Sequence, residues 1–182
     1  IDYAERWGHF ENELVPLSVT LPSLAIERKH SVKHEAALEW SERARATSDH
    51  IERWAGAPPK RIRVSLTDEL EDVQALHGVC RFGVPEPERG TVLAVVHPAL
   101  PEDGRRAVAE AQLVRTIGYP VIETDWMLEA AAVDAVGSWW GRPLGEWWTY
   151  LAAQGLFPSP GTMLTPGALL QRSTHIRVPA RA

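Results

Sequence analysis

The sequence predicts an α+β domain, a small mixed sheet with helices packed on it. Three observations carry this expectation. Strand-like and helix-like stretches alternate as far as His97, after which helix-like stretches alone follow. One long segment repeats its apolar residues at alternating spacings of three and four, the period of an amphipathic helix. A short run, TVLAVVH, is continuously apolar, as a strand covered on both faces requires. At 182 residues the chain is long enough for one domain with a real core and short for two. The expected organisation is an arm or edge segment over 1–21, the α+β domain over 22–155, and a C-terminal extension over 156–182 packed on that domain.

The elements come in order. Ser23 to His30 alternates as a strand, with Leu24 and Ile26 on one face. Ala37, Trp40, Ala44, Thr47, Ile51 and Trp54 then mark the long helix, stopped by Gly56, Pro58 and Pro59. RIRVSL, from Arg61 to Leu66, alternates as a half-buried strand with Ile62, Val64 and Leu66 inward. Thr67 is placed to cap a helix that buries Leu70, Val73 and Leu76 and ends near Gly78. The proline- and glutamate-rich VPEPERG reads as a turn before the apolar strand. Asp103 or Gly104 opens the next helix, which stops at Gly118 and Pro120. Thr124 and Gly137 bracket another, and Pro143 sits at the first turn of a last one closed by Gly155. A short helix is expected after Thr165-Pro166.

Composition narrows the function classes. Apolar content of 45% and charged content of 24% are those of a folded soluble protein. A net charge of −5 gives no electrostatic reason to expect nucleic acid or an anionic membrane as partner. The single cysteine, Cys80, excludes an internal disulfide and a cysteine-built zinc site. No apolar run approaches the roughly 18 to 20 residues of a membrane span.

Two carboxylates stand out. On the helical period Glu110 shares a face with Ala107, Ala111, Val114 and Ile117, and Glu129 shares one with Trp126, Val133 and Val136. An ionised carboxylate taken out of water needs a cation, donors or a metal beside it, or its pKa rises. Each glutamate is therefore either satisfied structurally, by an arginine, a backbone amide or water, or held for chemistry.

The serial order of these segments resembles the peptidase-MA-like gluzincin domain over about residues 22 to 155. HIERWAGAPPKRIRVSLTDELEDVQALHG is similar to that family's entry helix, strand and short helix. GTVLAVVHP resembles its next strand, RRAVAEAQLV stands where the family carries R-R-x-x-A-H-E-x-x-H, and GYPVIETDWMLEAAAVDA resembles G-Y-P-x-W-L-x-E-G-x-A-E-Y. The resemblance implies a zincin-like architecture. It also implies a zinc site built from two histidines and a downstream glutamate, with the motif glutamate as general base. Glu129 matches the third ligand. Anchored on Arg105-Arg106, Glu110 takes the first histidine position, Ala111 that of the base and Val114 the second histidine. Slid by one residue, Ala109, Glu110 and Leu113 take those positions. Neither register keeps a histidine, so the resemblance is to a member that has lost its metal and needs no cofactor. Members of this kind are often extracytoplasmic, the location the resemblance implies here.

Other residues are candidates on their own chemistry. His30 and His34 lie four apart, a spacing that can chelate a metal on a helix or simply cap and face solvent. His97, at a strand end, is placed to overlook the same cleft as Glu110. Cys80 has His77 nearby but no nucleophile context. The pairs Trp139-Trp140 and Trp147-Trp148 cannot all point into one core. They pack the C-terminal segment, stack on a ligand or meet a partner. Three functions fit: a non-catalytic peptidase-like domain with a protein partner or in an oligomer; a zinc-independent enzyme with Glu110 and Glu129 as acid and base and His97 assisting; and a module binding a small molecule or glycan through the cleft and tryptophans.

Overall fold

The computed structural model describes the backbone of residues 3–118 and 125–156. Thr124, Pro120 and the extension from 157 onward, with its expected short helix, lie outside the described residues. The chain divides into two compact units, Ile1–Leu144 and Gly145–Ala182.

The first unit is a mixed α/β domain. Its elements are α1 (Tyr3–Asn12), β1 (Leu14–Pro16), β2 (Leu24–Lys29), α2 (His34–Ala55), β3 (Ile62–Thr67), α3 (Leu70–His77), β4 (Gly83–Glu86), β5 (Thr91–Val95), α4 (Arg105–Ile117), α5 (Asp125–Val136) and the short pair β6 (Ser138–Trp139) and β7 (Arg142–Pro143). Helix α6 (Leu144–Ala153) falls almost wholly in the second unit. The sheet runs β1-β2-β3-β5-β4. Its three central strands are parallel, with Ile26 opposite Val64 and Val64 opposite Val92, and both edge strands run antiparallel to their neighbours.

Side-chain alternation sorts the core into layers. Ile62, Val64, Leu66, Val92 and Ala94 pack against Ala37, Trp40 and Ala44 of α2 and Ala107, Val108 and Ala111 of α4. Leu93 and Val95 point the other way, to Phe10 of α1 and to Val73 and Leu76 of α3. Ile51 of α2, Ala109 and Leu113 of α4, and Ala132 and Ala135 of α5 form a third cluster. Trp40 is fully buried, and its indole N–H donates to the Asp103 carbonyl at 2.7 Å. That bond ties the long helix to the loop that opens α4.

Several expectations are corrected. Of the arm or edge segment expected at the N-terminus, β1 is an edge strand, but Tyr3–Asn12 form helix α1, because Trp7 and Phe10 sit at helical spacing and, with Leu14, cover the face that Leu93 and Val95 present. β3 is more than half-buried: Ser65 and Thr67 are enclosed as well, since helices lie on both faces of the sheet. Thr67 ends β3 instead of capping α3, yet its hydroxyl still accepts the Glu69 N–H at 3.2 Å. The VPEPERG turn contains strand β4. The register, with Val95 N–H donating to the Phe82 carbonyl, places Pro85 where its backbone nitrogen points away from β5, so its missing N–H costs no ladder bond. Trp54, expected on the inner face of α2, is exposed where that helix runs past the core. Pro143 closes β7 one residue before α6 starts.

Candidate functional site

Gly104 makes the entry to α4 possible. Its φ is 73°, and a Cβ there would lie 2.6 Å from the Phe82 carbonyl oxygen and 2.7 Å from the Ala94 side chain. Only glycine lets this loop press onto β4 and β5. Gly141, between β6 and β7, plays the same part against Pro101, whose carbonyl oxygen a Cβ would meet at 2.8 Å. The Trp140 N–H reaches the Glu102 carboxylate at 3.3 Å. The hairpin and the β5–α4 loop thereby form one wall.

Helices α4 and α5 bring the two glutamates to a shared cation. Arg106 lies one turn before Glu110, and its Nε is 3.5 Å from Glu110 Oε1. Its Nη1 is 3.6 Å from Glu129 Oε1. The two carboxylates are not equivalent. Glu110 is largely covered, its side chain 18% exposed, whereas that of Glu129 is 63% exposed. Burial pushes the Glu110 carboxyl above the ordinary glutamate value; Arg106 opposes that shift and the neighbouring Glu129 carboxylate adds to it.

Glu129 is thus not inward-facing as its spacing suggested. The buried face of α5 is Ala132 and Ala135, flanked by Leu128, Ala131 and Val136. The helix is apolar on most sides, so its periodicity could not choose a face; the Trp126 side chain lies outside the described residues. On α4 both motif registers lead to enclosed positions. Ala111 and Val114 are buried, as are Ala109 and Leu113. Among the described residues no three histidine, cysteine, aspartate or glutamate side chains gather as a metal site. His30 and His34 are both exposed, the latter opening α2. Cys80 is a free, exposed thiol.

His97 stands past the end of β5, exposed, its Nδ1 accepting the Ala99 N–H at 3.2 Å. It lines a cavity of about 370 Å³ together with Arg43, Glu102, Asp103, Arg105 and Arg106. Neither Glu110 nor Glu129 lines that cavity; Arg106 alone joins the two places. Each tryptophan pair splits. Trp139 is half-buried while Trp140 is 46% exposed and meets Phe82 edge-on at 6.2 Å. In the second unit Trp147 is buried, edge-on to Tyr150, and Trp148 is 50% exposed. Sequence reasoning allowed an arginine partner for each glutamate but did not single out Arg106. The four-residue step from Arg106 to Glu110 was a readable signal, being the spacing of a helical ion pair.

Compared with known proteins, the chain matches no family model, no curated protein and no solved structure.

Proposed function

We propose that this chain is a non-catalytic, metal-free peptidase-like domain of zincin-like architecture that serves as a protein-binding or structural subunit. The observation that carries this reading is the Arg106 guanidinium shared by Glu110 and Glu129. In the register anchored on Arg105-Arg106, the positions of these glutamates are ligands to a dication in the family the sequence resembles. Here a single side-chain cation pairs with both, and Ala111 and Val114 offer neither a base nor a nitrogen donor. The exposed indoles of Trp140 and, in the second unit, Trp148 supply the aromatic anchors that protein interfaces favour. An extracytoplasmic setting belongs to the same reading.

A second reading keeps the two carboxylates as an acid and base pair acting without zinc. The raised pKa of Glu110 beside an ionised Glu129 favours it, since paired carboxyls with separated titrations suit that work. Against it stands the absence of both groups from the cavity lining.

The deciding experiment is the metal content of the purified protein after dialysis and again after zinc loading. The expected result is no zinc above background. Near-stoichiometric zinc retained through dialysis would overturn the metal-free reading. Peptide hydrolysis that Glu110→Gln abolishes would replace it with the second.

A further inference from the structure

The three parallel strands end on one side of the sheet, where Ser31, Asp68 and His97 come after β2, β3 and β5. Ligands of sheets with parallel strands gather outside such carboxyl ends. Two cavities meet there, one of about 370 Å³ and one of about 530 Å³, and both are lined by Arg43, His97, Pro98 and Asp103. Through these shared lining residues the two are read as one trough. Neither is lined by Glu110 or Glu129, although Arg106, which pairs with both, lines the smaller one.

Asp103 organises the cationic wall. Both its oxygens accept from Arg105 Nε, at 2.9 and 2.8 Å, and one lies 3.5 Å from Arg43 Nη2. Arg43 is held at its other end by Glu39 at 3.0 Å. Arg105 is different: its side chain is only 15% exposed, it lines the smaller cavity, and its hydrogen bonds among the described residues run through Nε and the backbone N–H. A guanidinium anchored at Nε presents its two terminal amino groups as a fixed fork, the geometry that receives a planar oxyanion by two parallel hydrogen bonds. Arg43 is paired with Glu39 and Asp103, and Arg106 with Glu110 and Glu129. The Arg105 fork is the group left to receive an anion. No acidic residue in the first turn of α4 opposes it.

We propose that the trough at the carboxyl ends of β2, β3 and β5 is a binding site for a small carboxylate-bearing molecule, its carboxylate received by the Arg105 fork beside His97 and Arg106. Asp103 is the positioning residue that aims the fork. Ser31 and Asp68, whose side chains hydrogen-bond to each other at 2.5 Å, line the larger cavity.

The test is an NMR titration of the full chain with acetate, lactate and benzoate, tracking the Arg105 Nε–Hε resonance. Inorganic phosphate and chloride at matched ionic strength form the comparison arms. The expected result is a saturable shift with at least one monocarboxylate, weakened about tenfold or more by Arg105→Lys, which keeps the charge but loses the fork. Arg61→Gln, an exposed arginine outside the trough, should leave the affinity unchanged. His97→Ala, at an exposed position on the trough, should weaken binding in its own right and stands in if the lysine variant does not fold. Shifts that never saturate, that survive both variants, or that phosphate and chloride reproduce equally would overturn the proposal.

Discussion

At the scale of single residues, the energetics turn on polar groups that the helices partly enclose. Burial raises the Glu110 carboxyl pKa, so the folded chain holds that proton more tightly than the unfolded chain does. Its contribution therefore favours folding below the ordinary glutamate value and is lost as pH rises through the folded one. Glu110→Gln should flatten the pH dependence of stability across that window and be neutral to stabilising at pH 7. The Arg106 contact it gives up is long, at 3.5 Å, and Arg106 keeps its contact with Glu129. Urea midpoints measured from pH 4 to 8 check this, and a large loss at neutral pH would contradict it. Gln112 is fully buried between α2 and α4; its Oε1 accepts from Ser48 at 3.0 Å while its Nε2 has no partner among the described residues. Ser48→Ala alone leaves that acceptor unmet and should cost about 1–3 kcal/mol. Adding Gln112→Leu should recover most of the loss, a coupling that a double-mutant cycle reads directly.

At the scale of elements, the Lys29 ammonium joins three pieces of the chain at the end of β2. It lies 3.0 Å from Glu69 and from Asp72 at the start of α3, and 3.5 Å from Glu13 between α1 and β1. Asp72 also accepts the hydroxyl of Thr67, the last residue of β3. Burial alone would lower the Lys29 pKa, but its hydrogen bonds to Asp72 and Glu69 outweigh that and raise it above the ordinary lysine value. The stabilisation is thus fully present below the unfolded lysine pKa and lost only as pH climbs through the folded one. Lys29→Met should cost about 1.5–3 kcal/mol at pH 7, the range for hydrogen bonds to charged groups. Adding Asp72→Asn should offset part of the loss. A thermal melt that moves less than a degree for Lys29→Met would show that the cluster holds nothing together.

At the scale of the whole molecule, a metal-free reading carries a thermodynamic prediction. A native zinc site loaded at a hundredfold excess over its Kd would add about 2.7 kcal/mol of stability. Zinc titration is expected to leave Tm unchanged, and a rise that saturates at one equivalent would contradict this. The membrane expectation stands in its narrow form: no described helix is long and apolar enough to cross a bilayer. Much of the fold was legible beforehand, because β2, α2, β3, α3, β5 and α4 each carry a hydrophobic period over enough residues to mark their type. What was missed is α1, β4 hidden in a proline-rich stretch, the β6–β7 hairpin, and the face that the largely apolar α5 buries. Within the candidate site the sequence grouped Glu110, Glu129 and His97 around one cleft. It could not show that Arg106 holds the two glutamates, or that His97 opens on a different space lined by Arg43 and Arg105. By itself, then, the sequence determined the order and kind of the main elements, since backbone geometry ties local spacing to local structure, and the absence of histidine from α4 and α5. Only the tertiary structure decided which charged groups meet. Arg43 and Asp103 lie far apart along the chain, and their meeting depends on how α2 and the β5–α4 loop pack over one sheet, which no local period records.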